Sequence, residues 1–161
     1  MKNKKVVLVF LYSIISTILL FPQTSDDAYS LYSKGNDYFN DGDYTTAISY
    51  YQKAVPVYEK VYGKNHLYTA DVYFFLGLSY SKSGNYDTAI SWLEKSYTIY
   101  NSTNGDKESA ANALSYIGSA YFDTSNYDKA LIYYQNELSV RKSIHGENHK
   151  DIANCYANIG L

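Results

Sequence analysis

Residues 73–93 read YFFLGLSYSKSGNYDTAISWL. Tyr73, Leu76-Gly77 and Tyr80 fall three and four apart, the spacing of one helical face, and Ala89 and Leu93 resume that spacing after Gly84-Asn85-Tyr86. Two amphipathic helices meeting at a tight turn produce this pattern. It recurs 42 residues upstream as Leu31, Gly35, Tyr38, Gly42-Asp43-Tyr44, Ala47 and Tyr51. It recurs 41 residues downstream as Leu114, Ile117-Gly118, Tyr121, Ser125-Asn126-Tyr127, Ala130 and Tyr134. Tyr156 and Ile159-Gly160 open a fourth copy. A fixed period of this length marks a stack of like units, none of which buries its apolar face alone.

The small residues carry the next inference. Gly35, Gly77, Gly118 and Gly160 fall in mid-helix, where glycine costs about 1 kcal/mol relative to alanine. Recurrence at a fixed period implies a packing reason, namely a neighbouring helix backbone too close for a side chain. Ala47, Ala89 and Ala130 read the same way on the second helix of each unit. Asp43, Asn85 and Asn126 stand where an N-cap oxygen accepts orphan amide hydrogens. Asp87 and Asp128 then lie in the first turn, where the helix dipole favours negative charge. The helices are expected over 27–40, 44–62, up to 82 after a linker at 63–66, 86–100, 107–123, 127–145 and from 150 onward. Pro56 falls inside the second of these, so a kink or an early stop is expected there.

This pattern resembles the tetratricopeptide repeat family, whose helix–turn–helix units carry Leu-Gly-x2-Tyr on the first helix and Ala-x3-Phe on the second. It lands on Leu31, Gly35, Tyr38, Ala47, Tyr51 and Ala54. The second unit supplies Tyr73, Leu76, Gly77, Tyr80, Ala89 and Leu93, and the third Leu114, Ile117, Gly118, Tyr121, Ala130 and Tyr134. Lys34, Ser96 and Glu137 depart from it, and the helix-ending proline is missing. The long period is similar to the kinesin light chain variety, with linkers Gly63-Lys64-Asn65-His66 to Ala70 and Gly146-Glu147-Asn148-His149 to Ala153. The middle linker, Gly105 to Ala111, is one residue shorter and has no histidine.

The resemblance implies an all-α fold, a right-handed α-solenoid of stacked antiparallel helix pairs, over residues 26–161. The repeats fall at about 28–62, 70–104 and 111–145, with a partial fourth at 153–161. It also implies a concave groove lined by the first helix of each unit. Carried over position by position, the groove residues are Tyr29, Tyr32, Asn36 and Phe39, then Asp71, Phe74, Leu78 and Ser81. The third unit supplies Asn112, Ser115, Ser119 and Phe122, and the fourth Asn154 and Ala157. Aromatic rings there offer contact area and the amides and hydroxyls can hold a peptide backbone, so the expected partner is a protein or peptide. Chaperone-binding members grip a C-terminal carboxylate with Lys and Arg. The matching positions here are Tyr32, Asn36, Phe75, Asn112 and Tyr116, of which only Asn36 agrees, so that activity is not implied.

Residues 1–25 stand apart. Met1-Lys2-Asn3-Lys4-Lys5 is basic, 6–21 is an uncharged and mostly apolar run, and Pro22 ends it. This is the layout of a secretory signal peptide, with an uncleaved membrane anchor as the alternative. Either places the repeats outside the cytoplasm, exported to the periplasm, to the medium or to the outer side of the membrane. The membrane is then touched only through that segment, if it stays uncleaved. Beyond it the chain holds 11 Lys and Arg against 16 Asp and Glu, a net charge of −5. Such a body lacks the clustered cations that nucleic acid or an anionic lipid surface requires.

Nothing in the sequence assembles a catalytic constellation, a phosphate-binding loop or a cofactor site, so a non-enzymatic module without a cofactor is expected. The alternative is the sensor or docking portion of a longer multidomain enzyme or signalling protein, truncated at residue 161. His145 and His149 have a metal-ligand spacing, but Gly146 lies between them and breaks the helix, so no metal is expected; the histidines of the linkers are instead read as partners of helix ends. Cys155 is the only cysteine and reads as a small buried hydrophobe. Most of the 21 tyrosines fall at core spacing, and Tyr, Asn, Lys and Ile are all abundant, as a biased nucleotide composition gives.

Overall fold

The computed structural model describes residues 24–102, 105–147 and 149–160. Seven helices are present among them: α1 (Ser25–Asn40), α2 (Tyr44–Val61), α3 (Leu67–Lys82), α4 (Tyr86–Tyr100), α5 (Lys107–Asp123), α6 (Tyr127–His145) and α7 (Lys150–Ile159). No described residue lies in a strand, and no described helix is long and apolar enough to cross a membrane. The basic start, the apolar run and the signal or anchor they imply lie outside the described residues.

Each helix packs on its neighbours in the chain, and the first helices also meet one another, α1 with α3 and α3 with α5. The result is the all-α tetratricopeptide-type solenoid, three helix pairs followed by α7. One apolar core runs through α1 to α4 and into α5, with Tyr51, Val72 and Leu76 fully buried in it. A second joins α3, α4 and α5 through Leu78, Leu93 and Ile117.

The helix starts follow from the residues expected to cap them. Asp43 accepts from the Thr46 amide and Asn126 from the Lys129 amide, whereas Asn85 makes no side-chain cap bond. The linker histidines do cap helices: His66 Nδ1 accepts from the Tyr68 amide at 3.1 Å, and His149 Nδ1 from the Asp151 amide at 3.3 Å. In the histidine-free middle linker Asp106 takes this part, accepting from the amides of Glu108 and Ser109. Thr24 and Asp27 add a reciprocal capping box at the start of α1.

One expectation is narrowed and two about the glycines are corrected. Helix α2 reaches Val61, next to the expected end at residue 62, so of the kink or early stop expected at Pro56 the early stop does not occur. Pro56 is exposed, as is Gln52, whose carbonyl loses its usual partner, so the defect faces solvent while Val55, Val57 and Tyr58 stay in the core. The mid-helix glycines answer to side chains more than to backbone. A Cβ on Gly35 would lie 2.5 Å from the Tyr51 ring, one on Gly118 2.7 Å from the Tyr134 ring, and one on Gly77 2.8 Å from Leu93 Cγ. Near Gly77 the Ala89 carbonyl also comes to 3.2 Å. Gly160 is no packing glycine: it caps the end of α7 at φ 84° with open space around its Cβ position.

Candidate peptide-binding face

The side chains expected in the groove divide into several situations. Tyr29, Tyr32 and Asp71 come together around a cavity of about 420 Å³ that Tyr58, Tyr62 and Tyr68 complete. Asn112 and Ser115 line a second cavity of about 350 Å³ with Glu108, Glu137, Arg141, Asp151, Asn154 and Asn158. Phe74 lies between, its ring 5.7 Å from Tyr116 and 5.6 Å from Phe75, which in turn is 5.8 Å from Tyr32. An aromatic path therefore crosses from α1 through α3 to α5. Phe39 joins it against Phe75, and Phe122 is exposed beside Tyr127. Leu78 is buried with Leu93 and Ile117, which places it in the core and out of a ligand's reach.

Four of the polar groove residues are tied to second helices. Asn36 Oδ1 accepts from the Tyr51 hydroxyl at 2.6 Å, and at the equivalent position the Tyr134 hydroxyl lies 3.2 Å from Ser119 Oγ. Asp71 Oδ1 accepts from the Tyr100 hydroxyl, and at the equivalent position Asn112 Oδ1 accepts from Arg141 Nη2 at 2.8 Å. These bonds hold each first helix on its second and fix the two amides. With their oxygens engaged, the NH2 groups of Asn36 and Asn112 are left as donors, and no described residue accepts from them.

Arg141 is nearly buried because its guanidinium is shared among three acceptors. Nε donates to Glu137 Oε1 at 2.8 Å, Nη1 to Glu108 Oε1 at 2.7 Å and Nη2 to Asn112. Burial opposes its charge, but Glu137 and Glu108 outweigh it and raise its pKa further. Glu137 Oε2 is buried with no hydrogen-bond partner among the described residues. Burial also raises the Asp71 carboxyl, partly offset by the hydrogen bond from Tyr100.

Although α6 ends at His145, as expected, the turn at Gly146 brings the His145 and His149 rings into parallel contact, 4.2 Å between centroids. With Asp151 they form a cluster of possible ligands. In stacked rings the nitrogen lone pairs lie in parallel planes and do not converge on one ion. His145 Nε2 is instead 3.0 Å from Glu108 Oε2, and His149 Nδ1 is occupied by its capping bond. The arrangement ties α6 and the linker to α5.

Sequence reasoning missed Tyr58, Tyr62 and Tyr68. They sit on the last turn of α2, at its C-cap and at the start of α3, outside the first-helix register from which groove positions are read. Tyr58 occupies the place that Tyr100 and Arg141 hold in later units, and that equivalence was the available signal.

A pile of helix pairs with a continuous face on its first helices defines a helical-repeat scaffold. The chain belongs to the tetratricopeptide repeat family, whose model matches residues 26–102 and 109–161. No curated protein matches its sequence. Among solved structures it is similar to BtubC (BKLC) from P. vanneervenii, at 14% identity and TM-score 0.75 over 83% of this chain and 54% of that one. It is also similar to a putative kinesin light chain of Podosopora anserina with nearly identical TPR-like repeats, at 17% identity and TM-score 0.72 over 98% of this chain and 78% of that one. A third is the Rap conjugation gene regulator of the plasmid pLS20 in complex with the Phr* peptide, at 23% identity and TM-score 0.71 over 84% of this chain and 36% of that one. The chain thus spans about half the length of the first and about a third of the last. At these identities the likeness is one of fold.

Proposed function

We propose that this chain is a non-catalytic binding module that works outside the cytoplasm and holds a protein or peptide along the face made by α1, α3, α5 and α7. The observation that carries the reading is the pair of cavities at the two ends of that face, joined by the aromatic path Tyr32–Phe75–Phe74–Tyr116. An extended segment laid across it would bury ring surface in the middle. The fixed NH2 groups of Asn36 and Asn112 would meet its carbonyls, since a donor held in place loses little entropy on binding. The peptide complex of the Rap regulator, a protein of similar fold, supports this reading. The basic start and apolar run of residues 1–21 support export.

The test changes two rings of the face that take part in none of the hydrogen bonds between first and second helices. Phe74→Ala with Tyr116→Ala should cut recovery of the crosslinked partner from the producing cells by about tenfold or more, as loss of an aromatic anchor at a contact centre does. Gln135→Ala, on the exposed side of α6, should leave recovery unchanged. Equal recovery from both variants would refute the groove. Fractionation of the same cells tests the location: a partner and protein recovered from the cytoplasm would refute export.

A further inference from the structure

The cavity at the amino-terminal end of the groove differs from the rest of the surface. Five tyrosines and one carboxylate line it: Tyr29, Tyr32, Tyr58, Tyr62, Tyr68 and Asp71. No lysine or arginine is among them. Four of the rings form a chain of contacts, Tyr32–Tyr58 at 5.9 Å, Tyr58–Tyr62 at 5.3 Å and Tyr62–Tyr68 at 5.2 Å. Successive rings are inclined by 59°, 43° and 83°, so they wrap a space instead of stacking in a slab. Aromatic faces carry the negative part of the ring quadrupole and attract cations within about 6 Å of the centroid.

Elsewhere lysines lie over several buried or partly buried rings, while the exposed Tyr38, Tyr116, Phe122 and Tyr127 have none over them among the described residues. Lys34 and Lys53 sit over Tyr50, Lys95 over Trp92 and Tyr73, Lys129 over Tyr121 and Lys142 over Tyr156. Among the described residues none of the five cavity tyrosines has such a cover. Asp71 adds a formal charge to this uncovered set. Its Oδ1 accepts from Tyr100, while Oδ2 takes no hydrogen bond from a described residue. Burial raises the Asp71 carboxyl from its ordinary value of 3.8, so its ionised form is held at a cost that a neighbouring cation would relieve.

We propose that this cavity receives a basic side chain, lysine or arginine, of the peptide held in the groove, its methylenes against the tyrosine rings and its charge at Asp71 Oδ2. This rests on the groove reading and names the feature that selects the partner. The volume, about 420 Å³, admits one long side chain with room for water at its mouth. The acidic balance of the chain beyond residue 21 favours the same partner.

The test titrates the full chain with two small probes, Nα-acetyl-lysine methylamide and its neutral Nε-acetyl counterpart, and follows the ring signals of Tyr62 and Tyr68 by NMR. The lysine probe should shift them saturably and the neutral probe should not. Asp71→Asn should weaken the lysine probe by about tenfold or more. This variant keeps an oxygen for the Tyr100 hydroxyl and removes a carboxylate whose ionisation burial opposes, so its melting temperature should hold or rise. Tyr68→Leu, at a half-exposed ring, should weaken binding with the fold intact. Equal response to both probes, no response to either, or full binding by Asp71→Asn would overturn the proposal. A parallel capture of random capped decapeptides separates it from the groove reading. Enrichment of Lys or Arg at one position, lost in Asp71→Asn, supports both. Capture without that enrichment overturns the cavity proposal and leaves the groove. Failure to capture any decapeptide while the lysine probe binds overturns the groove and the peptide-borne cation alike.

Discussion

At the scale of single residues, the glycine of each first helix and the bulky residue of each second helix form one device. The ring of Tyr51, the side chain of Leu93 and the ring of Tyr134 occupy the space where the Cβ of Gly35, Gly77 and Gly118 would stand. Alanine is the better helix former by about 1 kcal/mol, but here it meets a neighbour that is itself enclosed: Tyr51 and Leu93 are fully buried. Each of Gly35→Ala, Gly77→Ala and Gly118→Ala should therefore destabilise the protein by about 1–3 kcal/mol, measured by chemical denaturation. A gain in stability would mean that the layers are looser than described. The period alone showed that space was short at these positions. It could not show what filled it, because a repeat records which residues recur and not which atoms meet.

Burial also sets how residues titrate. It pushes the Cys155 thiol up to about 11 and the Tyr32 hydroxyl up to about 12, and drives Tyr51, Tyr58, Tyr73, Tyr100 and Tyr133 upward as well. In every case the folded state holds its proton more tightly than the unfolded chain. The stabilisation is therefore complete below the ordinary values, 9.0 for the thiol and 10.0 for the phenols, and is lost as pH rises through the raised ones. Denaturation midpoints should fall between pH about 9 and about 12, and part of the tyrosine set should ionise only on unfolding. Complete titration of all tyrosines by the folded protein near the ordinary value would contradict this.

At the scale of the helices, capping and turn residues set the boundaries that the sequence shows best. The spans 86–100, 107–123 and 127–145 are those that the pattern of apolar residues and turns gives. At Pro56 the sequence left a kink or an early stop open because propensity acts locally, whereas the cost of the proline depends on which way its face points. The turns follow the same logic: Gly42 and Gly84 adopt φ of 80°, and in the third unit Ser125 bears φ of 60°, a conformation that costs a non-glycine residue about 1–2 kcal/mol. Helix α6 departs most from the family pattern, with Glu137 in place of the small residue. The structure supplies the reason in Arg141, which binds Glu137, Glu108 and Asn112 at once. Arg141→Met should cost about 3–5 kcal/mol, because Glu137 would be left as an uncompensated buried charge. Adding Glu137→Gln should recover a large share of the loss in a double-mutant cycle. Additive losses would show that the two side chains are not coupled.

At the scale of the molecule, stacking makes the fold quasi-one-dimensional, and the first helices, meeting across units, become one continuous face. That much is legible from the repeat. The groove positions were legible only as a register: Tyr29, Tyr32, Asp71, Asn112 and Ser115 do come to cavities, while Leu78 turns into the core because the layer below leaves it a place beside Leu93 and Ile117. The tyrosines at the end of α2, at its C-cap and at the start of α3 had no such register to be read from.

If partners are held on the first-helix face, contact must be confined to that side of the solenoid. A photocrosslinking residue placed at Ser115, which lines the second cavity, or at Gln135 on the outer side of α6 tests this in one experiment. Adducts to a partner protein or peptide are predicted from position 115 and none from position 135. Adducts from position 135 with none from 115 would contradict the groove.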